Sequence, residues 1–206
     1  MKNYLILLSA ILLIAYSCAD EVNDPSDTVT ELWPLEVGNE WTYHVFIEKS
    51  SDKGNLIATD TMFLKVWNKV IMDGEDWYLM SPRADDSEYR WKNSEQGFWR
   101  AEEDNGVIHK SLMFKYPTKV GDKSLLYDGE NDYEEIVTKS IGINIDVFAK
   151  TYKCIKYQFN SHQYEDVYIA PGLGLVYQKS TTYIALSQTP PDTAWVIMKL
   201  AEYQLK

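Results

Sequence analysis

The sequence predicts an all-β domain: an antiparallel meander of about ten strands curled into a half-barrel or barrel, with a β-sandwich as the alternative. Two observations support this fold class. Apolar and polar residues alternate with a period of two through much of the chain after residue 30, whereas helical periodicity is nearly absent. The β-rich runs are short, are separated by turn residues, and draw on 15 Tyr and 7 Trp residues, which favour pleated surfaces. A sheet of about this size curls to protect its edges.

The strands can be placed in order along the chain. Residues 41, 43, 45 and 47 are apolar or aromatic and share one face of a first strand, while 42, 44 and 48 face the other way. The dipeptides Asp73-Gly74 and Asn105-Gly106 are hairpin signals. We expect further strands at residues 61–72, 77–80, 89–92, 99–103, 107–116, 135–147, 151–159, 164–170, 175–183 and 195–205. The polar stretch 121–131 is rich in turn residues and is predicted to connect strands without forming one.

The first eighteen residues have the layout of a secretory signal peptide. Lys2 precedes an apolar run over residues 4–15 that is too short to span a bilayer, since a transmembrane helix needs about 20 apolar residues. Residues 15–18, Ala-Tyr-Ser-Cys, resemble a bacterial lipobox, in which the cysteine is acylated and becomes the mature N-terminus. The alternative is an ordinary signal peptide in which Cys18 is incidental. We therefore predict a signal peptide over residues 1–17 and lipid attachment at Cys18.

A short acidic tether is predicted between the anchor and the domain. Residues 19–30 carry four acidic residues and almost no apolar content, so they cannot bury enough surface to offset the entropy of ordering. The acidity is either that of a solvated spacer or a sorting signal. The predicted organisation is therefore a lipid-anchored flexible tether over residues 18–30 and a single β domain over residues 31–206. The expected location is the cell envelope, at the outer membrane of a Gram-negative bacterium, held by acyl chains that each contribute about 0.8 kcal/mol per buried methylene.

Charge and cysteine content exclude some classes of function. The net charge of −11 argues against nucleic acid and against electrostatic binding to anionic lipid.

With Cys18 acylated, Cys154 has no partner for a disulfide. On a strand it shares a face with Tyr152, and no histidine lies nearby to lower its pKa. We predict a buried, inert thiol that packs as a small apolar residue.

A search for catalytic and metal-binding motifs returns little. The histidines His44, His109 and His162 lie on separate predicted strands or loops, and no G-x-S-x-G elbow or H-E-x-x-H motif recruits them. Residues 128–132, Asp-Gly-Glu-Asn-Asp, resemble the first half of a calcium loop, but Tyr133 stands where that loop needs glycine. A solvated acidic turn is the favoured interpretation. No cofactor, metal or catalytic residue is predicted.

One seven-residue pattern occurs twice. Residues 34–40 read Pro-Leu-Glu-Val-Gly-Asn-Glu and residues 117–123 read Pro-Thr-Lys-Val-Gly-Asp-Lys. Glycine followed by Asn or Asp favours a turn that leads into a strand. Because the similarity does not extend far beyond each segment, we interpret it as repeated turn chemistry and not as a duplication.

Three segments carry a resemblance to a known group. Residues 33–43 contain P-L-x-x-G-N-x-W-x-Y, residues 148–157 are similar to A-G-T-[FY]-x-x-C with Lys150 in place of the glycine, and residues 168–176 match Y-x-A-P-G-[VL]-G-L-V. In this order and spacing the chain resembles a group of uncharacterised bacterial lipoproteins and secreted proteins. The resemblance implies no established activity, ligand or catalytic residue.

The same segments have a structural interpretation. Gly172 and Gly174 are predicted to mark a bend or a close approach of another backbone. Trp33, Trp41 and Tyr43 are predicted to anchor the core, with an exposed aromatic platform for a ligand as the alternative.

Two functional classes follow. The favoured one is a non-enzymatic envelope module whose curved sheet offers an apolar or aromatic concavity to a lipid, a glycan or another envelope protein. The alternative is an envelope hydrolase that uses scattered carboxylates such as Glu165 and Asp166, whose separation decides whether they can act together.

Overall fold

The computed structural model describes residues 29–49, 54–82, 89–127, 133–160, 164–184 and 192–206. Every regular element in these ranges is a β-strand, and none of them contains a helix that could cross a membrane. The signal peptide, Cys18, His162 and residues 128–132 lie outside the described ranges. The strands are β1 (Glu40–Lys49), β2 (Leu56–Met72), β3 (Glu75–Ser81), β4 (Tyr89–Ser94), β5 (Gly97–Asp104), β6 (Val107–Lys115), β7 (Lys123–Tyr127), β8 (Tyr133–Val147), β9 (Lys150–Phe159), β10 (Tyr164–Ala170), β11 (Gly174–Ile184) and β12 (Asp192–Gln204).

The strands form one antiparallel sheet, which confirms the predicted meander. Strands that follow one another in the chain pair with each other, except β6 and β7, and β1 also pairs with β12. The order is therefore β6-β5-β4-β3-β2-β1-β12-β11-β10-β9-β8-β7. The sheet is shaped like a nearly closed barrel, and the alternative of a two-sheet sandwich is wrong. In such a meander alternate connections lie at the same end. The start of β1, the end of β12 and the β2–β3, β4–β5, β6–β7, β8–β9 and β10–β11 connections therefore share one end, which we call the mouth.

The two strands at the ends of the sheet, β6 and β7, meet through side chains. The Ser124 hydroxyl donates to the backbone carbonyl of Met113 at 2.8 Å, and the Tyr127 amide donates to the Ser111 hydroxyl at 2.9 Å. The Arg100 guanidinium also donates to the carbonyl of Tyr127. These bonds satisfy polar groups along the seam where the barrel closes.

The prediction for residues 121–131 is wrong in one respect, because β7 lies within that stretch. Ser124, Leu126 and Tyr127 are buried, while Leu125 is exposed. A five-residue strand between Gly121-Asp122 and Asp128-Gly129 has too little alternation to stand out from its turn-forming neighbours. The other predicted strands are confirmed, with their ends shifted by a few residues.

Both predicted hairpin turns are present. Asp73 and Gly74 have φ of 54° and 77°, and Asn105 and Gly106 have φ of 50° and 79°. Two successive positive φ values match a turn of type I′, whose twist fits that of the flanking strands. The sequence therefore fixes the β2–β3 and β5–β6 connections locally.

The two copies of the seven-residue pattern form the same hydrogen-bonded turn. In the first turn (residues 34–40) the Gly38 amide donates to the Val66 carbonyl at 2.8 Å, and the Val66 amide donates to the Asn39 carbonyl at 2.9 Å. In the second turn (residues 117–123) Gly121 and Asp122 make the equivalent bonds with Thr138, each at 2.9 Å. The first turn precedes β1 and the second precedes β7, so the repeated turn chemistry that the sequence predicts is confirmed.

Most of the apolar core lies in one cluster. It contains most of the largest fully buried side chains, among them Trp41, Tyr43, Tyr157, Phe98 and Phe114. A separate small cluster of Met72, Trp77 and Ala101 packs with Val70 and Trp99 on β2, β3 and β5. The main cluster also takes in Leu32, Trp33 and Leu35, so the segment that precedes β1 belongs to the core.

Candidate functional site

A cavity of about 710 Å³ opens at the mouth of the barrel. Its walls come from the segment before β1, the β4–β5 turn, the β6–β7 connection, the bent part of the β8–β9 hairpin and the β10–β11 turn. Ligand pockets have volumes of roughly 300–1,000 Å³ and are mostly apolar with a few polar groups. The residues that line this cavity are Val29, Thr30, Glu31, Asn93, Ser94, Glu95, Tyr116, Pro117, Ile141, Gly142, Lys153, Cys154, Ile155 and Pro171.

The segment over residues 29–35 forms one wall and is held by its backbone. The Tyr116 hydroxyl donates to the Val29 carbonyl at 2.9 Å, and the Gly172 amide donates to the Glu31 carbonyl at 2.9 Å. Burial raises the pKa of Tyr116, so this hydroxyl keeps its proton and remains a donor at neutral pH. Asn93, near the end of β4, makes a third bond to this segment, which is described below. The wall is therefore held at three places.

Trp33 ties this segment to the β10–β11 turn. Its ring stacks on Phe98 at 5.4 Å between centroids and meets Trp41 edge to face at 5.8 Å. A Cβ on Gly174, where φ is 100°, would lie 2.5 Å from Trp33 Nε1, so only glycine leaves room for the indole. The core role predicted for Trp33 and Trp41 is confirmed.

Two of the segments that carry the resemblance thus meet in space. The Trp41 indole donates to the Leu173 carbonyl at 2.8 Å, and the Tyr43 hydroxyl donates to the Leu175 carbonyl at 3.1 Å. Both side chains are buried, which confirms the prediction for Tyr43 as well. At Gly172 another backbone passes close by, as predicted, since its amide bonds to Glu31. The segments at 33–43 and 168–176 are one packing unit at the mouth.

Asn93 places an unsatisfied acceptor in the cavity wall. Its amide nitrogen donates to the Trp33 carbonyl at 2.6 Å. A carbonyl can only accept, so the nitrogen must face Trp33 and the side-chain oxygen must point elsewhere. That oxygen, Oδ1, is buried and has no hydrogen-bond partner among the described residues. A buried acceptor without a partner costs roughly 1–3 kcal/mol, which a donor in the cavity would recover.

The β8–β9 hairpin bends where it meets the cavity. The register of the two strands shifts between Ser140 and Ile143, and Gly142 has a φ of 67°. Ile141, beside this irregularity, is 45% exposed and lines the cavity. Such a bulge re-aims the strand, and here it turns an apolar side chain into the opening.

Cys154 lies in the cavity wall but is 1% exposed. It is a free, buried cysteine, and burial raises the pKa of its thiol to about 12. Tyr152 is buried on the same face of β9, whereas Lys153 is exposed. The prediction of a buried thiol is confirmed, and the raised pKa disfavours the reactive thiolate.

Asp166 and the two described histidines, His44 and His109, lie on three strands that are not neighbours in the sheet. Asp166 forms an ion pair with Lys156, and the side chain of Glu165 lies outside what the structure describes. His44, on β1, contacts Phe148. His109, on β6, stacks on Tyr127 with 3.9 Å between ring centroids. Within the described ranges no three metal-ligating side chains cluster.

Three described carboxyl groups have shifted pKa values, and in each the shift is downward. The side chains of Lys92 and Lys123 donate to Glu75 and Glu135 respectively, and the Lys119 backbone amide donates to Asp122. A general acid needs the opposite shift, which keeps the proton on at neutral pH. These carboxylates act as charged partners of lysines.

Sequence reasoning missed Asn93 and Ile141. Asn93 lay between the strands predicted at 89–92 and 99–103, and Ile141 lay in an alternating strand whose irregularity was not predicted. The only available signals were a polar residue at a strand end and the Gly142 beside Ile141. No family model, curated protein sequence or solved structure matches the chain.

Proposed function

We propose that this protein is a lipid-anchored lipoprotein of the bacterial cell envelope that binds a small, mostly apolar molecule in the mouth cavity without chemical conversion. The observation that carries the proposal is the buried, unpartnered Asn93 Oδ1 in the wall of a cavity of about 710 Å³. An apolar wall favours an apolar body, and a single fixed acceptor favours a hydroxyl or amide donor on it. The ligand is therefore an apolar molecule that carries one donor group.

The chemistry of the lining supports binding over catalysis. The one cysteine in the wall has a raised pKa and is buried. A nucleophile would need the opposite shift and access to solvent. Val29, Ile141 and Ile155 supply apolar surface, and Glu31, Glu95 and Lys153 leave a polar edge. An amphipathic ligand matches this division.

The position of the cavity agrees with an anchored protein. Val29 is the eleventh residue after Cys18, and a fully extended chain spans at most about 3.6 Å per residue, so the cavity wall at Val29 lies within roughly 40 Å of an acylated Cys18. A ligand that partitions into the membrane is then available at high local concentration. We expect a Cys18→Ala protein to leave the membrane fraction, and retention equal to that of the wild type contradicts the anchor.

The ligand class is tested with N-phenyl-1-naphthylamine, an apolar fluorescent probe with one N–H donor. The chain from residue 19, which lacks the anchor cysteine, is titrated with this probe and with its N-methyl analogue, which lacks the donor. We expect saturable one-to-one binding of the probe and binding of the analogue weaker by roughly fivefold, since one hydrogen bond contributes about 1 kcal/mol.

A matched pair of variants tests whether the probe binds in the mouth cavity. Ile141→Trp fills the opening with a larger side chain, whereas Ile71→Trp makes the same change at an exposed isoleucine that does not line the cavity. We expect the first to abolish saturable binding and the second to leave it unchanged. Equal binding by both variants, or equal affinity for the probe and its N-methyl analogue, contradicts the proposal.

A further inference from the structure

A second concavity lies on the β3–β6 part of the sheet. This outer groove has a volume of about 450 Å³ and differs from the mouth cavity in its chemistry. The two share only Ser94 and Glu95, which stand between them at the β4–β5 turn. The groove is lined by Glu75, Trp77, Lys92, Ser94, Glu95, Gln96, Trp99 and Lys110.

Two indoles form the apolar part of the groove. Trp77 is 1% exposed, although it belongs to the small cluster with Met72 and Ala101 and not to the main core. Lys92 and Lys110 each hold their Nζ 5.6 Å from its ring centroid, so their aliphatic stems help to cover it. The Trp77 Nε1 is buried and has no hydrogen-bond partner among the described residues. Trp99 is half-buried, and its indole donates to the Ser94 hydroxyl at 2.9 Å.

Both lysines of the groove are already paired with carboxylates. The Lys92 ammonium lies 2.5 Å from the Glu75 carboxylate, and the Lys110 ammonium lies 2.6 Å from the Asp73 carboxylate. Among the lining side chains two lysines balance the carboxylates of Glu75 and Glu95. A phosphate or carboxylate ligand would meet no excess of positive charge here, so the groove does not suit an anion.

We propose that the outer groove binds a neutral saccharide. The C–H face of a sugar ring packs on flat aromatic surface such as that of Trp99. Its hydroxyl groups donate and accept at once, which matches an edge where carboxylates accept, lysines donate and the Gln96 amide does both. The unpartnered Trp77 N–H adds a donor beside the ring. This proposal does not rest on the ligand proposed for the mouth cavity.

The test uses the full chain in a detergent without sugar groups and three probes: the N-acetylglucosamine trisaccharide, maltotriose and trigalacturonic acid. Tryptophan fluorescence and calorimetry report binding. We expect saturation by at least one neutral trisaccharide below about 10 mM, the weak range typical of a small open site, and no saturation by the anionic trimer.

Three variants locate the site. Trp99→Ala is expected to weaken binding about tenfold, the upper end of what one aromatic contact contributes. Trp195→Ala is the matched control: its indole also lies under a lysine, with Lys179 Nζ 3.7 Å from its ring centroid, but it does not line the groove. Gln96→Ala removes only an exposed side chain on a turn and is expected to weaken binding severalfold in a protein that keeps its fold.

The outcomes separate clearly. Binding of a neutral trisaccharide that falls in Trp99→Ala and Gln96→Ala, and is unchanged in Trp195→Ala, supports the proposal. Saturation by trigalacturonic acid alone, an equal loss in Trp195→Ala and Trp99→Ala, or no saturation by either neutral trisaccharide overturns it. Binding of N-phenyl-1-naphthylamine is a separate measurement, so failure of one site leaves the other standing.

Discussion

The first and second turns have the same backbone hydrogen bonds and different surroundings. In the first, Asn39 is 1% exposed; its side-chain nitrogen donates to the Pro34 carbonyl at 3.0 Å, and its oxygen accepts from the Lys206 amide at 2.9 Å. In the second, Asp122 accepts from the Lys119 amide at 3.1 Å and pairs with Lys115 at 3.2 Å. Asn39 thus joins the segment before β1 to the C-terminal end of the chain, whereas Asp122 bonds to groups of its own connection and of the adjoining β6.

The difference shows that a repeated pattern fixes local geometry, while the place in the sheet fixes what the turn does. The first turn leads into β1, which lies between β2 and β12. The second leads into β7, which ends the sheet and pairs only with β8. The first turn is therefore buried at the mouth and connects two parts of the chain, whereas the second turn is partly exposed and lies beside the seam.

The largest loss of stability is expected at the contact between Trp33, in the segment before β1, and the β10–β11 turn. Gly174→Ala adds a Cβ 2.5 Å from Trp33 at a φ of 100°, so it combines overpacking with a left-handed conformation. We expect a loss of about 3 kcal/mol in the free energy of unfolding, measured by urea denaturation.

Gly74→Ala is the control for that variant. Its φ of 77° is also positive, but nothing lies within 4 Å of the added Cβ. Conformational strain alone predicts a loss of about 1 kcal/mol. If the two variants lose equal stability, the contact between Trp33 and Gly174 does not matter as described.

The next effect compares the two turns directly. Asn39→Asp removes the donor to the Pro34 carbonyl and places a carboxylate in a buried site, so we expect a loss of about 2 kcal/mol in the free energy of unfolding. Asp122→Asn keeps an acceptor at a half-exposed site and should cost clearly less. If urea denaturation shows an equal loss for both variants, or a larger loss for Asp122→Asn, the two turns do not differ in their contribution to stability as described.

A smaller effect is expected in acid. The Lys119 amide and the Lys115 side chain hold the pKa of Asp122 below its ordinary value of 3.8. The stability this provides is present above the unfolded pKa and is lost as the pH falls through the lower folded pKa. Unfolding curves at neutral and acidic pH should therefore show a smaller acid loss in Asp122→Asn than in the wild type. An identical loss in both proteins contradicts the assignment.

The smallest perturbation is a chemical probe of Cys154. The thiol is buried, and its pKa is raised to about 12, so we expect no labelling by a thiol reagent at neutral pH in the native state and rapid labelling in denaturant. Fast labelling of the native protein would mean that the cavity wall opens to solvent.

Much of the fold could be predicted because its signals are local. Asp73-Gly74 and Asn105-Gly106 set their hairpins, and alternation around Trp41 and Tyr43 set β1. The short strand β7 was missed because its five residues show too little alternation to stand out between turn-forming residues. The sequence also gave no sign that residues 33–43 and 168–176 meet at the mouth, because that contact depends on how the meander closes.

The candidate site was less predictable than the fold. Asn93 lines the cavity, and its nitrogen is held by Trp33, 60 residues away in the chain, while its oxygen is left buried without a partner among the described residues. Trp77 is buried by lysines on β4 and β6. Each arrangement depends on the spatial order of strands, which periodicity alone does not give.

Amide hydrogen exchange with and without N-phenyl-1-naphthylamine tests the mouth cavity most directly. The Gly172 amide, bonded to Glu31, and the Tyr116 amide, bonded to Gln96, hold the walls of the cavity. The Gly121 amide, bonded to the Thr138 carbonyl in the second turn, lies outside the lining and serves as the control. Ligand binding at the mouth predicts slower exchange at Gly172 and Tyr116 and unchanged exchange at Gly121. Saturable binding that leaves Gly172 and Tyr116 unchanged would contradict it.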